Sequence, residues 1–450
     1  MRYYLSILEV QMIISMKIFI QLFFLILNIS LTSQILPERE RAAKVDQILK
    51  NRYTRLLPEL MDRAKVGMWI LICREYNEDP VLRTMLPATW LHARRRTMLV
   101  ISKEKTGIQK YAISRYNVGE HFTSAWDKEK QPDQWKALVT LIKDKDPSTI
   151  AINTSENYGI ADGISKTDYT AFLNALPVEY HKKVVSAESL AVSWIETRTP
   201  LEMEIYEDLV ELTHDVIKEA FSTKVITVGV TSTDDVVWWL RQKVTELGVE
   251  TWFHPTVDVQ RANTLLSSQV AAFSDRPGEK IIQSGDLIHC DFGISYLRLQ
   301  TDCQQHAYVL KEGEDAPPDY LKEAFKKGNE VQDIFTNTFK TGLTGNEILL
   351  TSLKKAKVMG LRPSIYTHPL GIYGHSAGPT IGMWDAQEGV PGTGDYPLYE
   401  NTVYAIELNT TVKIPEWKKD IRIMLEEAGF WGADGFKYVN KRQTELITIP

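Results

Sequence analysis

The sequence contains few cysteines and no long run of like charges. Its 450 residues include only Cys73, Cys290 and Cys303, which are too few and too widely spaced for a disulfide framework or a paired-thiolate zinc site. A net charge of −6 with scattered basic residues makes nucleic-acid binding an unsuitable main function. The sequence also has no HExxH zinc motif and no phosphate-binding loop ending in Gly-Lys-Ser or Gly-Lys-Thr. A metal ion in this chain must therefore be held mainly by oxygen and imidazole.

The composition is that of a globular protein. Hydrophobic residues make up 44% of the chain, and its 19 prolines and 25 glycines are scattered rather than clustered. A chain of this length supports two hydrophobic cores better than one. We therefore expect two domains.

An apolar segment near the N-terminus departs from the globular pattern. Lys17 precedes a short apolar run that ends at Leu27, and a small polar stretch follows at residues 28–33. This order is typical of a secretory signal, and the run is short for a membrane span. We expect residues 1–34 to be a signal peptide of a secreted or periplasmic protein. An uncleaved N-terminal membrane anchor is the alternative.

The residues after this segment alternate between strand-like and helix-like patterns. Short apolar runs typical of strands in a covered sheet occupy residues 69–73, 97–101, 109–113 and 149–152. Residues 133–142 have the apolar spacing of a helix. Residues 35–192 are therefore expected to form an N-terminal α/β domain.

A helix start marks the expected boundary with a second domain at residues 193–450. Thr199 and Glu202 form a capping-box pattern around Pro200, which suits the first helical turn. Further on, a Gly-Val-Thr and helix pattern at residues 229–248 is echoed by Gly-Leu-Thr and a helix at residues 342–360. The repeat predicts two pseudo-equivalent halves with a site between them.

Two aspartates carry the strongest local signal for chemistry. Asp291 lies in an apolar strand, and Asp302 follows after a stretch, residues 293–300, that can form a hairpin. A hairpin would bring the two carboxylates together, where they repel unless a cation, a shared proton or a basic partner compensates. A divalent metal ion is the simplest of these.

Three later residues extend this set. His375 lies among glycines that allow close backbone approach. Glu407 and Glu426 lie in apolar strand-like sequence, where an unpaired charge is costly. Together with the two aspartates they form an oxygen-rich ligand set suited to a pair of divalent ions.

The order Asp291, Asp302, His375, Glu407, Glu426 resembles the metal-ligand series of the M24 metallopeptidases, the family of methionine and Xaa-Pro aminopeptidases, prolidases and creatinase. The resemblance implies an α+β protein with a C-terminal pita-bread domain and a smaller creatinase-type α/β domain before it. It further implies that Asp291 binds one metal ion, that Asp302 and Glu426 bridge both, and that His375 and Glu407 bind the other. Manganese, cobalt, zinc and iron all suit these ligands. A homodimer is a further expectation from the family.

The sequence departs from the family pattern at its last ligand and at two histidines. Glu426 and the adjacent Glu427 compete for the last position, since strand alternation lets only one face the metals. Family members carry a histidine shortly after a segment like residues 256–263 and another seven residues beyond the histidine ligand, where this chain has Gly382. Three other histidines are candidates to replace them: His368, His289 and His306.

The expected activity is that of an Xaa-Pro aminopeptidase, which hydrolyses a peptide bond near a free N-terminus with a water that bridges two metals. Glu407 and His368 are the expected catalytic groups, and the substrate is a peptide, including proline-containing ones. Two alternatives remain. One is a non-catalytic or atypical pita-bread protein that binds peptides, and the other is a creatinase-like hydrolase of a non-peptide C–N bond, which would need no metals.

Overall fold

The computed structural model describes residues 35–264 and 280–450, so the expected signal peptide lies outside the described residues. The chain divides into two units, Met1–Arg41 and Ala42–Pro450. In the described part of the first, helix α1 (Glu38–Asn51) begins and Arg41 pairs with Glu38 at 3.2 Å. Within the described ranges, no helix combines the length and the apolar character needed to cross a membrane. Everything below concerns the second unit.

A six-stranded sheet organises residues 68–186. Its strands, in the order β4-β3-β2-β1-β5-β6, are β1 (Met68–Arg74), β2 (Arg96–Glu104), β3 (Gly107–Ala112), β4 (Thr123–Ser124), β5 (Ile150–Ile152) and β6 (Val184–Ser186). The helices around it are α2 (Leu57–Arg63), α3 (Pro80–Met85), α4 (Gln134–Lys145), α5 (Lys166–Ala175), α6 (Val178–His181) and α7 (Glu188–Glu196). Single turns of other helix types occur at Arg52–Leu56 and Gly159–Ala161. The four predicted strands and the predicted helix are confirmed.

The central strand of this sheet is buried on both faces, as a covered sheet requires. Trp69 and Leu71 pack into one hydrophobic cluster, and Ile70 and Ile72 pack into another. Because successive side chains of a strand point to opposite faces, an unbroken apolar run fills both cores.

Two helix pairs follow, and both predicted capping patterns are present. The helices are α8 (Pro200–Ala220), α9 (Thr233–Leu247), α10 (Asp319–Thr336) and α11 (Gly345–Val358). Thr199 and Glu202 close a capping box on α8, and Thr344 and Glu347 close one on α11. Ser232 and Asp235 form a third on α9, the counterpart of α11 in the predicted repeat.

Three sheets and one hairpin make up the strands that follow α9. The first sheet, in the order β19-β11-β8-β7, contains β7 (Thr256–Gln260), β8 (Leu287–Phe292), β11 (Cys303–Val309) and β19 (Ile447–Ile449), and the hairpin pairs β9 (Ser295–Tyr296) with β10 (Leu299–Gln300). The second sheet, β12-β15-β16, contains β12 (Pro363–Ile365), β15 (Leu408–Ile414) and β16 (Lys419–Leu425). The third, β13-β14-β17-β18, contains β13 (His368–Leu370), β14 (Thr402–Ala405), β17 (Ala428–Gly432) and β18 (Gly435–Tyr438). Single helical turns occur at Thr393–Asp395 and Pro415–Trp417.

The chain crosses between the second and third sheets at three places, and an acidic residue lies at two of them. Glu407 lies between β14 and β15, and Glu426 lies between β16 and β17. The sequence predicted that both lie inside continuous strands, and this was wrong because the strands break where the chain changes sheets. Gln304 of β11 pairs with Glu426 through backbone hydrogen bonds of 2.9 and 3.3 Å, which joins the first sheet to this crossing.

Candidate metal centre

The predicted hairpin brings the two aspartates together. It is formed by β9 and β10, and its turn places Leu297 and Arg298 at positive φ, 51° and 65°. The strands on either side, β8 and β11, pair antiparallel, with Gln304 opposite Asp291. Carboxylate oxygens of Asp291, Asp302 and Glu426 all lie within 4.8 Å of one another.

A second group overlaps the first. One ligand atom each from His368, Glu407 and Glu426 also lie within 4.8 Å of one another. His368 Nε2 is 3.6 Å from Glu426 Oε1 and 3.7 Å from Asp302 Oδ2. Glu426 therefore belongs to both groups, and the two groups form one acidic cluster with a single imidazole edge.

The structure separates the two histidines that the sequence analysis considered. His375 groups only with Asp302 and His368, and its side chain is exposed. Its ring lies 4.7 Å from that of His368 at an interplanar angle of 85°. His368 is buried beside Glu407 because β13 pairs with β14, which ends just before that glutamate. This pairing was not visible in the sequence, where the glycines around His375 gave the stronger signal.

The cluster contains four buried polar atoms that have no hydrogen-bond partner among the described residues. They are Asp291 Oδ1, Asp302 Oδ1, Glu426 Oε1 and His368 Nε2. Buried polar atoms are rarely left unsatisfied, and each one costs free energy. Three carboxylate oxygens and one imidazole nitrogen that converge in this way fit a divalent cation.

Burial and mutual repulsion dominate the electrostatics of the cluster. Burial and then the Glu426 carboxylate raise the pKa of Asp291 to about 7. Burial, opposed in part by a hydrogen bond from Gln304, raises the pKa of Glu426 to about 8. The pKa values of Asp302 and Glu407 are raised well above their usual range by burial and by neighbouring carboxylates. Without a cation, the cluster therefore favours protonated carboxyl groups.

Burial has the opposite effect on the two histidines. It lowers the pKa of His368. The His375 side chain is exposed only in part, and desolvation of the rest of its ring, together with the neighbouring His368, lowers its pKa to about 4. Both imidazoles are therefore neutral at neutral pH. A neutral imidazole is the form that binds a metal ion or accepts a proton.

Gln304 is a site residue that the sequence analysis did not select. Its Nε2 donates to Glu407 Oε1 at 2.7 Å and to Glu426 Oε2 at 2.8 Å. Its Oε1 lies 2.9 Å from His289 Nε2. The available signal was its position two residues after Asp302, on the same face of the strand.

The residue next to Glu426 faces the other way. Glu427 Oε2 lies 2.5 Å from His214 Nε2, and Glu427 Oε1 accepts from Gln305 Nε2 at 3.2 Å. Cys303 lies on this side as well, in a buried group with His214 and Glu427. The two adjacent glutamates therefore lie on opposite sides of β11, as successive residues of an extended chain do.

His289 and His306 are both engaged within the protein. His306 is fully buried, its Nδ1 lies 3.0 Å from the Ile288 carbonyl oxygen, and its Nε2 accepts from the Met424 amide at 3.0 Å. Burial and His289 lower its pKa to about 3. His289 is linked to the cluster by its hydrogen bond with Gln304.

The paired helices, the three sheets and the carboxylates that converge at Glu426 define a protein of the pita-bread fold with a candidate metal site, and a smaller α/β part precedes it. Residues 204–427 match the profile of metallopeptidase family M24, and this segment of the chain belongs to that family.

Solved structures resemble the chain over most of its length. The X-Pro aminopeptidase from Thermotoga maritima is 19% identical, with a TM-score of 0.61 over 86% of this chain and 99% of that one. The Xaa-Pro dipeptidase from Bacillus anthracis is 18% identical, with a TM-score of 0.57 over 92% of this chain and 100% of that one. The N-terminal domain of the FACT complex subunit SPT16 from Cicer arietinum is 12% identical, with a TM-score of 0.54 over 92% and 99%. These likenesses show the fold, and no curated protein matches the sequence significantly.

Proposed function

We propose that this protein is a metal-dependent peptidase that hydrolyses peptide bonds near a free N-terminus, with a preference for Xaa-Pro sequences. The convergence of unpartnered buried oxygens with His368 Nε2 is the observation that carries the proposal. The family match and the peptidase names of two structural relatives support the reaction and the proline preference.

The proposed metal ligands are five residues in two overlapping groups. Asp291, Asp302 and Glu426 would hold one divalent ion, and His368, Glu407 and Glu426 would hold a second. His368 replaces His375 as the histidine ligand, because only His368 groups with both glutamates. The metal is manganese, cobalt, zinc or iron, all of which suit carboxylate and imidazole.

This exchange of histidines removes one departure from the family pattern. The resemblance implies a further histidine seven residues beyond the ligand, and His375 lies seven residues beyond His368. Its exposed imidazole, next to the buried ligand ring, suits contact with a substrate. His375, rather than His368, is therefore the proposed catalytic histidine.

The chain's own residues account for proton handling and substrate contact. Bound divalent ions supply Lewis acidity and a water of lowered pKa. Glu407 Oε1 accepts a hydrogen bond from the Gln304 amide. The other carboxylate oxygen of Glu407 is the proposed acceptor of a proton from the attacking water. His375 is neutral and able to accept a hydrogen bond or a proton from the substrate. The Trp252 ring, 5.2 Å from that of His375, forms an aromatic wall beside it.

A non-catalytic peptide-binding protein is the second candidate, favoured by one observation. The sequence has no histidine between His254 and His289, where the resemblance implies the other auxiliary one. The creatinase-like alternative is not favoured, because it needs no metal site and the cluster fits one.

The location and the assembly of the protein complete the proposal. Residues 1–34 serve as a secretory signal or as an uncleaved anchor, and the protein works outside the cytosol. Residues 35–192 and 193–450 are the proposed domains, and a homodimer is the proposed assembly.

Hydrolysis of short peptides tests the proposal. The purified protein, loaded in turn with manganese, cobalt, zinc or iron, is expected to release the first residue of Xaa-Pro peptides faster than that of matched Xaa-Ala peptides. Acetylation of the substrate's amino group is expected to stop the release. If metal-loaded protein binds these peptides without cleaving any, the peptide-binding alternative replaces the proposal.

A further inference from the structure

Gln304 connects the two glutamates that lie where the chain crosses between sheets. Its side-chain amide donates one hydrogen bond to Glu407 Oε1 and one to Glu426 Oε2, at 2.7 and 2.8 Å. These glutamates come from different crossings, after β14 and after β16, so no short segment of chain holds them together. Within the described residues, the Gln304 amide links these two side chains directly through its two hydrogen bonds.

His289 fixes the orientation of this amide from the side opposite the two glutamates. Its Oε1 faces His289 Nε2 at 2.9 Å, so that nitrogen carries the proton and donates it to the amide oxygen. The other imidazole nitrogen lies 3.7 Å from Asp258 Oδ2, on the neighbouring strand β7. A flipped amide would direct its NH₂ group at the donor of His289 and its oxygen at two carboxylates.

The backbone of Gln304 is fixed as well. Its N–H donates to the Glu426 carbonyl at 2.9 Å, and the Glu426 N–H donates to the Gln304 carbonyl at 3.3 Å. Both the side chain and the main chain of Gln304 therefore hold Glu426. The residue is 5% exposed, so water does not compete strongly for these bonds.

The amide also determines which oxygen of Glu426 faces the cluster. Because Oε2 accepts from Gln304, Oε1 is turned toward His368 Nε2 at 3.6 Å and is one of the unpartnered atoms. A neutral donor can bring two carboxylates together without the positive charge that a lysine or arginine would add beside a cation. Outer hydrogen-bond partners of this kind orient metal ligands and affect metal affinity strongly.

We propose that Gln304, held by His289, is a positioning residue that sets the spacing of Glu407 and Glu426 and directs Glu426 Oε1 to the bound cation. The inference rests on the metal site of the proposed function. It concerns affinity for the ion itself and can be measured without any peptide substrate.

Calorimetric titration of the metal-free full-length protein with Mn²⁺ tests the inference. Gln304→Met keeps the approximate length of the side chain and removes both donors, so the dissociation constant for Mn²⁺ is expected to rise about 10-fold or more. Gln305→Met is the matched control, because Gln305 is the next residue on the same strand and its amide donates to Glu427 on the opposite side. Its dissociation constant is expected to stay within about 3-fold of that of the unchanged protein.

The outcomes separate the inference from the proposed function. If the unchanged protein binds Mn²⁺ and both methionine variants bind it with the same affinity as the unchanged protein, Gln304 has no positioning role, although the metal site stands. If the unchanged protein binds no metal ion, both proposals fail. Should Gln304→Met fail to fold, Gln304→Asn serves instead, because its amide is one methylene too short to reach both carboxylates; unchanged affinity in that variant would also overturn the inference.

Discussion

His368 Nε2 lies 3.6 Å from Glu426 Oε1, and neither atom has a hydrogen-bond partner in the described part of the chain. A buried imidazole nitrogen and a buried carboxylate oxygen at this separation are too far apart to bond each other. They are close enough to bind one ion between them. This relationship, with Asp302 Oδ2 at 3.7 Å from the same nitrogen, makes His368 the proposed histidine ligand.

Substitution of the two histidines is expected to separate metal binding from turnover. His368→Ala removes the nitrogen that faces Glu426 and should lower bound metal, measured by elemental analysis after gel filtration. His375→Ala should keep the metal and lower kcat for an Xaa-Pro peptide by about 10²-fold or more, as loss of a general acid or base does. If His375→Ala loses metal and His368→Ala keeps it, the original sequence-based choice of His375 is correct.

Glu426→Gln and Glu427→Gln form a pair of adjacent substitutions with opposite expected effects. Glu426 faces the cluster, so its amide variant should lose metal. Glu427 pairs with His214 at 2.5 Å on the other side, so its variant should keep metal but lose about 1–3 kcal/mol of unfolding free energy. Metal analysis and urea denaturation of both variants check this. Metal loss in Glu427→Gln alone would reverse the assignment.

The stability of the protein is expected to depend on Glu196 above mildly acidic pH. This buried carboxyl accepts from the Tyr396 hydroxyl at 3.2 Å and lies 3.5 Å from Arg63 Nη2. Burial raises its pKa from 4.5 to about 8, although Arg63 opposes the rise. The folded protein therefore holds a proton that the unfolded chain has released, and stability falls as pH rises through this window. The unfolding free energy of Glu196→Gln, relative to that of the unchanged protein, should therefore rise by an amount on the order of a few kcal/mol between pH 4.5 and pH 8. Denaturation of both proteins at several pH values measures this difference.

Glu202 provides a control of opposite sign. Burial alone would raise its pKa, but Arg52 and Arg198 lower it below its usual value. Its contribution to stability is thus present above the unfolded pKa and disappears as pH falls through the folded pKa. Glu202→Gln should therefore be costly at neutral pH and nearly neutral in acid, as measured by denaturation at several pH values. If the unfolding free energies of Glu196→Gln and Glu202→Gln change with pH in the same direction relative to the unchanged protein, the environments assigned to Glu196 and Glu202 are wrong.

Gly374→Ala is expected to displace the Trp252 ring beside His375. A Cβ at this position would lie 2.3 Å from two atoms of the Trp252 ring. The indole must move to accommodate it, and a displacement of about 1 Å near a reacting group can cost about 10²-fold in rate. Peptide hydrolysis should fall while metal content stays constant. Gly159→Ala, where a Cβ meets nothing within 4 Å, is the control. If the two variants are equally active, the Trp252 ring is not part of the substrate site.

Local patterns predicted much of the fold. The covered strand at residues 69–73 and the capping boxes at Thr199 and Thr344 depend on neighbours in sequence, and the structure contains all of them. The hairpin that brings Asp291 and Asp302 together was likewise predicted from a single local segment.

The missed features depend on contacts between distant segments. The position of His368 follows from the pairing of β13 with β14, and Gln304 reaches glutamates more than a hundred residues away. Glu407 and Glu426 were expected inside strands, but the crossings between sheets that break those strands have no local signature. Residue type and order therefore indicated the carboxylates that converge in the structure, whereas the position of His368 beside them follows only from the tertiary structure.

The most direct test is to follow hydrolysis of one Xaa-Pro peptide while Mn²⁺ is added to metal-free protein. The account predicts no cleavage without metal, a rate that rises in proportion to the Mn²⁺ bound, and no cleavage by Glu426→Gln at any concentration of Mn²⁺. Cleavage by chelator-treated protein at the full rate would contradict the account, and so would a protein that leaves the peptide intact when it is saturated with Mn²⁺, Co²⁺, Zn²⁺ or Fe²⁺ in turn.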